Sequence, residues 1–305
     1  MSVPADAPAG LARRLRLLAL GAVAAVGFGV SFPLNHVAVE AASPLAVALL
    51  RAWVAAPALA LGFLAMGVPA PRGARAWGAS LLLGAFSTAI PFFLLAAGQA
   101  LIGGGLGGVV FATIPLIVVL AAPLLPPFPG LEARRLPGCA VGLAGVMLAT
   151  GGGGEGAVAG VAMTFAAAAC LAVGSILLQR FPDLDPRTLT LGQVLCGALM
   201  LTPVALLWPG VSLAPAFQPR VFAAIAANGI LSTAAAMCAM YMLIRAAGPA
   251  SAATINFFTP LIAIVVSALT LGEPLSPVLL AAFALVALGA WLVARTRPRA
   301  AAGPA

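Results

Sequence analysis

Gly84-Ala85-Phe86-Ser87-Thr88-Ala89 returns 145 positions later as Gly229-Ile230-Leu231-Ser232-Thr233-Ala234. In the same register Gly103 falls on Gly248, Pro115-Leu116-Ile117 on Pro260-Leu261-Ile262, and Gly29 on Gly174. One position further along, Pro57 falls on Pro203. A chain rich in Ala and Leu gives chance matches. Coincidences of Gly, Ser-Thr and Pro in one register are far harder to produce by chance, and they mark an internal repeat. Its copies are expected to occupy residues 1–151 and 152–305.

Composition says what each copy is made of. Of 305 residues, 63% are apolar and 7% charged, and the mean hydropathy is +1.16. A soluble domain carries about 25% charged residues. A chain this apolar cannot cover its own surface with polar groups, so lipid is its expected solvent. The net charge of +8 does not point to nucleic acid, because the arginines sit at the ends of apolar runs and not along one face.

Runs long enough to span roughly 30 Å of hydrocarbon fall near 14–39, 44–67, 76–100, 103–126, 135–151, 157–181, 188–208, 219–246, 249–271 and 276–295. Short Pro- and Gly-rich stretches separate them, among them Pro126-Pro127-Phe128-Pro129 and Gly151 to Gly154. Ten spans with a cytoplasmic N-terminus put every arginine inside except Arg220, which lies outside, and Arg51, which lies within a span. That bias is what the positive-inside rule requires, and nine or eleven spans would scramble it. The basic start Arg13-Arg14-Leu15-Arg16 is read as the foot of an uncleaved first helix, because the apolar run continues past any Ala-x-Ala site. The expected fold class is an all-α integral membrane protein of ten transmembrane helices, built as two five-helix repeats. Five is odd, so the second copy enters the membrane inverted. That symmetry lets the two halves exchange outward-open and inward-open shapes around a site at their interface.

Polar groups inside lipid are costly and each requires a partner or a purpose. Arg51 lies about seven residues inside the second span, roughly 10 Å from its outer end at 1.5 Å per residue. Pro33 to Asn35 lie at similar depth, and Pro33 frees the carbonyl of Gly29 by removing a backbone donor. Arg51 is therefore expected near Asn35, Glu40 or that carbonyl, either as a structural staple or as the attractor of a substrate carboxylate. Candidate substrate-binding residues are Phe28, Ser31 and Asn35 of helix 1, Arg51, Thr88 and Phe92 of helix 3, and Gln179 of helix 6. Ser232, Tyr241 and Asn256 complete the set, with Ser175 and Thr233 as further polar positions. Most Ser and Thr in such helices bond their own backbone or a neighbour. His36 is the only histidine, the side-chain type used for proton transfer around neutral pH, and Glu40 lies one turn away, which makes the two a proton-coupling candidate. Pro33, Pro115 and Pro260 are hinge or structural positions. Glu273, followed by Pro274, suits the positive end of a helix dipole. The four cysteines lie in apolar runs without C-x-x-C spacing and read as buried free thiols. One histidine and no H-E-x-x-H leave no metal or cofactor site to propose.

These residues carry a resemblance to a known family. Gly29 to Pro33 with Asn35, Pro44 followed seven positions on by Arg51, and Pro115 belong to it in the first half. Pro260, Leu271-Gly272-Glu273-Pro274-Leu275-Ser276 and Gly289 belong to it in the second. Over roughly residues 15–295 the chain resembles the EamA-type branch of the drug/metabolite transporter superfamily. The resemblance implies an exporter of amino acids, metabolites or drugs, proton-linked or facilitated, with a central cavity lined by helices 1, 3, 4, 6, 8 and 9. One departure stands out: the family's Gly-Glu pair at the end of helix 4, which would mirror Gly272-Glu273, is replaced by Pro126 to Pro129, with Glu132 displaced.

The expectation is a secondary transporter in a bacterial inner (cell) membrane, with both termini cytoplasmic and a small molecule, lipid and possible coupling protons as partners. A membrane enzyme or assembly protein without flux is the alternative. A phosphatase reporter that needs export, fused after Arg299, should be inactive, and one fused after Arg220 in the outer loop should be active.

Overall fold

The computed structural model describes residues 7–121, 133–150, 155–247 and 255–295, without the side chains of residues 7–10, 133, 256, 257 and 294. Pro126 to Pro129, Glu132, Gly151 to Gly154, Gly248, Arg297 and Arg299 lie outside the described residues. Ten helices account for the described chain. In the first half they are α1 (Ala7–Val39), α2 (Pro44–Ala65), α3 (Gly73–Gln99), α4 (Gly104–Ala121) and α5 (Leu136–Thr150). In the second they are α6 (Glu155–Leu178), α7 (Pro186–Leu207), α8 (Pro219–Ala247), α9 (Ile255–Leu271) and α10 (Pro277–Arg295).

Local chemistry starts several of these helices. Ser43 accepts from the Ala46 amide at 3.3 Å, and Pro44 supplies a preset φ at the first position of α2. Asp185 with Pro186 does the same for α7, accepting from the Arg187 amide at 2.9 Å. Ser276 with Pro277 does it for α10. The α1 helix begins at Ala7, earlier than the apolar run suggested, so Arg13 lies within it. Arg13 donates to the Ala246 carbonyl at the C-terminus of α8 (3.2 Å), where a cation complements the helix dipole. α5 has 15 residues and is the shortest, about 22 Å at 1.5 Å per residue.

Lipid tails are as apolar as leucine, so helices in a bilayer gain little by burying leucine against each other. Leu269, 81% exposed, and Leu207, 79% exposed, accordingly face outward. The interior is held by small residues that let backbones meet. A Cβ on Gly84 of α3 would lie 2.9 Å from both the Gln193 carbonyl and the Cys196 Cβ of α7. A Cβ on Gly229 of α8 would lie 2.8 Å from Val54 and 3.1 Å from the Arg51 carbonyl of α2. Gly84 and Gly229 are repeat mates, and their contacts are mates too: α3 packs on α7 as α8 packs on α2. Between α5 and α10, a Cβ on Gly289 would be 2.5 Å from the Gly138 carbonyl and 2.6 Å from the Gly142 amide nitrogen.

The repeat shows again in the backbone. α3 widens into a π turn over Ala85–Ala89, and α8 does so over Asn228–Ala235. The Ile90 amide reaches back five residues to the Ala85 carbonyl, and Ala236 reaches Leu231 in the same way. The matching Ser-Thr-Ala segments lie in these two turns.

Gly84→Val should lower the thermal midpoint in detergent by the equivalent of about 1–3 kcal/mol, because backbone and not a flexible side chain stands in the way. Gly78→Ala on the same helix, where nothing lies within 4 Å of an added Cβ, should hold or raise it, by up to about 1 kcal/mol of helix propensity.

Candidate solute-binding cavity

A cavity of about 250 Å³ lies among α1, α2, α3, α4, α6, α8 and α9. These are the six helices the resemblance implied, joined by α2 through Arg51. α1 contributes Phe28, Ser31 and Phe32, and α3 contributes Ser87, Pro91, Phe92 and Leu95. Gly108, Phe111 and Pro115 come from α4, and Leu171 comes from α6. α8 supplies Ser232, Thr233 and Met237, and α9 supplies Thr259 and Pro260. The wall is mostly aromatic and aliphatic, with a few hydroxyls and one cation. The two π turns place the repeat mates Ser87 and Ser232 on it. Pro115 and Pro260, also repeat mates, both border it. Each proline removes one backbone donor from its helix where that helix borders the cavity.

The polar groups form one chain. Ser31 Oγ donates to Asn228 Oδ1 (3.0 Å), and Asn228 Nδ2 donates back to the Ser31 carbonyl (3.3 Å). Thr233 Oγ1 donates to the Asn228 carbonyl (3.4 Å) and accepts from Arg51 Nε and Nη2, each at 3.4 Å. The guanidinium carbon lies 4.1 Å from the centre of the Phe92 ring, a cation–π contact. Arg51 is only 6% exposed, so it faces the bundle and not lipid. Among the described residues its buried Nη1 has no hydrogen-bond partner, and neither does the buried Ser232 hydroxyl.

The neighbours of Arg51 differ from those expected. Asn35 is spent on Gln99, donating from Nδ2 to Oε1 at 2.8 Å. Glu40 is half exposed, 3.9 Å from His36 Nε2 and 4.0 Å from Arg220. The face of Gly29 is pressed against Ile262 and the Thr259 carbonyl of α9. Arg51 turns instead to the π turn of α8, because Gly229 lets α2 and α8 approach there.

The remaining candidates divide. Phe28, Ser31, Arg51, Phe92 and Ser232 border the cavity, whereas Asn35, Thr88, Gln179 and Tyr241 do not. Thr88 is buried against Gly197 of α7. Tyr241 bonds Thr190 through its hydroxyl and packs edge-on against Phe63. Gln179 is exposed and donates to the Ser175 carbonyl at 3.5 Å, and Ser175 donates to that of Ala172. The side chain of Asn256 lies outside the described residues. His36 is off the wall and its Nδ1 pairs with the Gln99 carbonyl (2.8 Å). Pro33 lies against Gly104 of α4. The sequence reading missed Asn228, Gln99 and Ser87 as site residues. Ser87 was visible as the mate of Ser232, but nothing in the sequence set Asn228 or Gln99 apart.

Glu273 meets a helix N-terminus, though not that of α10, which Ser276 caps. Gly272, at φ +68°, ends α9 in the left-handed region that favours glycine. This swings the Glu273 carboxylate onto α4 of the other repeat, where it accepts from the amides of Gly104 (2.7 Å) and Gly105 (3.0 Å). A Cβ on Gly103 would come within 2.7 Å of that carboxylate, so the Gly103-Gly104-Gly105 run makes room for it.

A bundle of apolar helices in two equivalent sets, around a shared cavity, defines a multi-pass membrane protein of the transporter class. The EamA-like transporter family matches twice, over residues 15–151 and 158–295. The chain belongs to that family. A solved crystal structure shares the fold with a TM-score of 0.63 over 91% of this chain and 96% of its own, at 20% identity. No curated protein matches the chain.

Glu273→Ala removes two charge-assisted hydrogen bonds and should lower the thermal midpoint by the equivalent of about 1.5–3 kcal/mol. Glu273→Gln, which keeps one acceptor, should fall between it and the parent.

Proposed function

We propose that this protein is a secondary transporter that moves a small solute, of amino-acid to metabolite size, out across the bacterial inner membrane by alternating access. One observation carries the reading: the cavity is built from both repeats at once. A change in how the repeats pack necessarily reshapes the cavity, which a carrier requires and a scaffold does not. At about 250 Å³ it is smaller than the roughly 300–1,000 Å³ typical of sites for drug-sized ligands, which favours metabolites. Inversion of the repeats is supported by helix direction. The end of α3 and the start of α8 both adjoin the end of α1, through Gln99 with His36 and Arg220 with Glu40. The mates α3 and α8 therefore run in opposite senses. Export is the direction the family resemblance implies, and the arginine bias supports cytoplasmic termini.

For proton coupling we propose the His36–Glu40 pair. Arg220 is the charged neighbour facing it, and Gln99 links it to the buried Asn35. In this reading His36→Gln removes the dependence of flux on a pH gradient and leaves exchange at equal pH intact.

The test of transport is counterflow in proteoliposomes with a panel of labelled amino acids and organic acids. At least one should show saturable uptake. Ser87→Phe, which sets a large ring between the cavity and Gly174 of α6, should reduce that flux at least tenfold, measured per folded molecule. Ser175→Phe, on an exposed helix face, should leave it unchanged. Uptake equal to that of empty liposomes for the whole panel would overturn the reading.

A further inference from the structure

The cavity has one permanent charge, and that charge is underused. A guanidinium carries five N–H donors and no acceptor. Here the described contacts are two, both to the single oxygen of Thr233 and both at 3.4 Å, beyond the usual 2.7–3.2 Å. Nη1 has no hydrogen-bond partner among the described residues. The Ser232 hydroxyl, one residue before Thr233 on the same π turn, has none either. Both residues border the cavity. Leaving a buried cation and a buried hydroxyl unpaired is costly, the more so inside a membrane. Phe92 covers one face of the guanidinium, so an acceptor must come to its edge, where the planar fork matches a carboxylate.

Charge elsewhere on the wall narrows the class. Of the seven acidic residues, Glu40, Glu155, Asp183, Asp185 and Glu273 are described, and none borders the cavity. Nor does His36. An ammonium group brought in with a substrate would find no counter-charge among the described residues. A second carboxylate would find no second cation there. Phe28, Phe32, Phe111, Leu95 and Met237 offer the rest of a ligand an apolar environment.

We propose that the cavity takes an organic monocarboxylate with an apolar body and no amino group, its carboxylate meeting the Arg51 guanidinium and the Ser232 hydroxyl. This rests on the transporter reading above, which says only that a small solute is moved. It separates unaminated acids from the amino acids that the resemblance alone would include.

Four probes of one shape decide it: phenylacetate, phenylacetamide, phenethylamine and phenylalanine, titrated against the full chain in nanodiscs and read by thermal shift. Phenylacetate should bind at least about tenfold tighter than each of the others, the scale of one hydrogen-bonded charge. Arg51→Gln should remove that preference, Arg51→Lys should restore part of it, and Ser232→Ala should weaken phenylacetate alone, by several-fold. Phenethylamine or phenylalanine binding as tightly as phenylacetate would overturn the assignment. So would a folded Arg51→Gln protein with the preference intact, or failure of both phenylacetate and 4-methylpentanoate to bind. The panel on the unaltered protein decides the matter even if Arg51→Gln does not fold. Counterflow of labelled phenylacetate separates the two readings. Carboxylate binding without flux upholds the charge assignment and sinks transport. Flux of the amine alone upholds transport and sinks the assignment.

Discussion

Helices in a bilayer cannot rely on the hydrophobic effect to find one another, and close backbone approach at glycine takes its place here. Gly84 against α7 and Gly229 against α2 set the distance between the repeats at two related points. Gly138, Gly142 and Gly289 do the same for α5 with α10. The site depends on these contacts. Because Gly229 admits the Arg51 carbonyl to within 3.1 Å of where a Cβ would stand, α2 comes near enough to α8 for Arg51 to reach Thr233. A bulkier residue at 229 would separate the cation from the hydroxyls that now accompany it.

The two halves share a plan but not a chemistry. In the packing of Gly84 on α7 and of Gly229 on α2, the Arg51 carbonyl takes the place of the Gln193 carbonyl, so the counterpart of Arg51 is a neutral amide. The guanidinium therefore breaks the symmetry of the cavity, and its field acts from one repeat only. Ser87 and Ser232 preserve the plan, as do Pro115 and Pro260, all on the wall. Glu273 is another asymmetric element: it ties the end of α9 to the start of α4, across the repeats, and the corresponding first-half position in sequence is Pro126 to Pro129.

Energetically, the polar chain from Ser31 through Asn228 and Thr233 to Arg51 is a partly satisfied network. All four of its members are paired with one another, while among the described residues Arg51 Nη1 and the adjacent Ser232 hydroxyl are not. A network satisfied throughout would rigidify the interface between α1, α2 and α8. The unspent hydrogen-bonding capacity lies on two residues that border the cavity, with the unpaired atoms themselves buried at its edge. The cluster of Asn35, His36 and Gln99 is a separate assembly beyond Ser31 along α1.

Much of the fold was legible in the sequence because membrane folding is governed by two coarse quantities. Apolar length sets the spans, and arginine placement sets the direction that the sequence leads one to expect for them. The Ser-Thr register disclosed the repeat, and with it the pairing of α3 with α8. The resemblance pointed to the helices around the cavity, though not to α2. What the sequence could not decide was which face of each helix turns inward. Near-uniform apolarity erases the amphipathic signal, so Thr88 and Ser87, neighbours in one motif, were equally good candidates. The π turn rotates Ser87 onto the wall and Thr88 against Gly197. Tyr241 and Asn35 carried the right chemistry but are committed to Thr190 and Gln99. Asn228 was an ordinary mid-helix amide until it met Ser31, 197 positions away. The partner of Arg51 was misjudged because depth along one hairpin says nothing about the helix that packs across it. Span, order and symmetry are properties of the chain read along its length. The membership of the site is a property of helix rotation and of glycine-mediated approach, and only the packed bundle sets those.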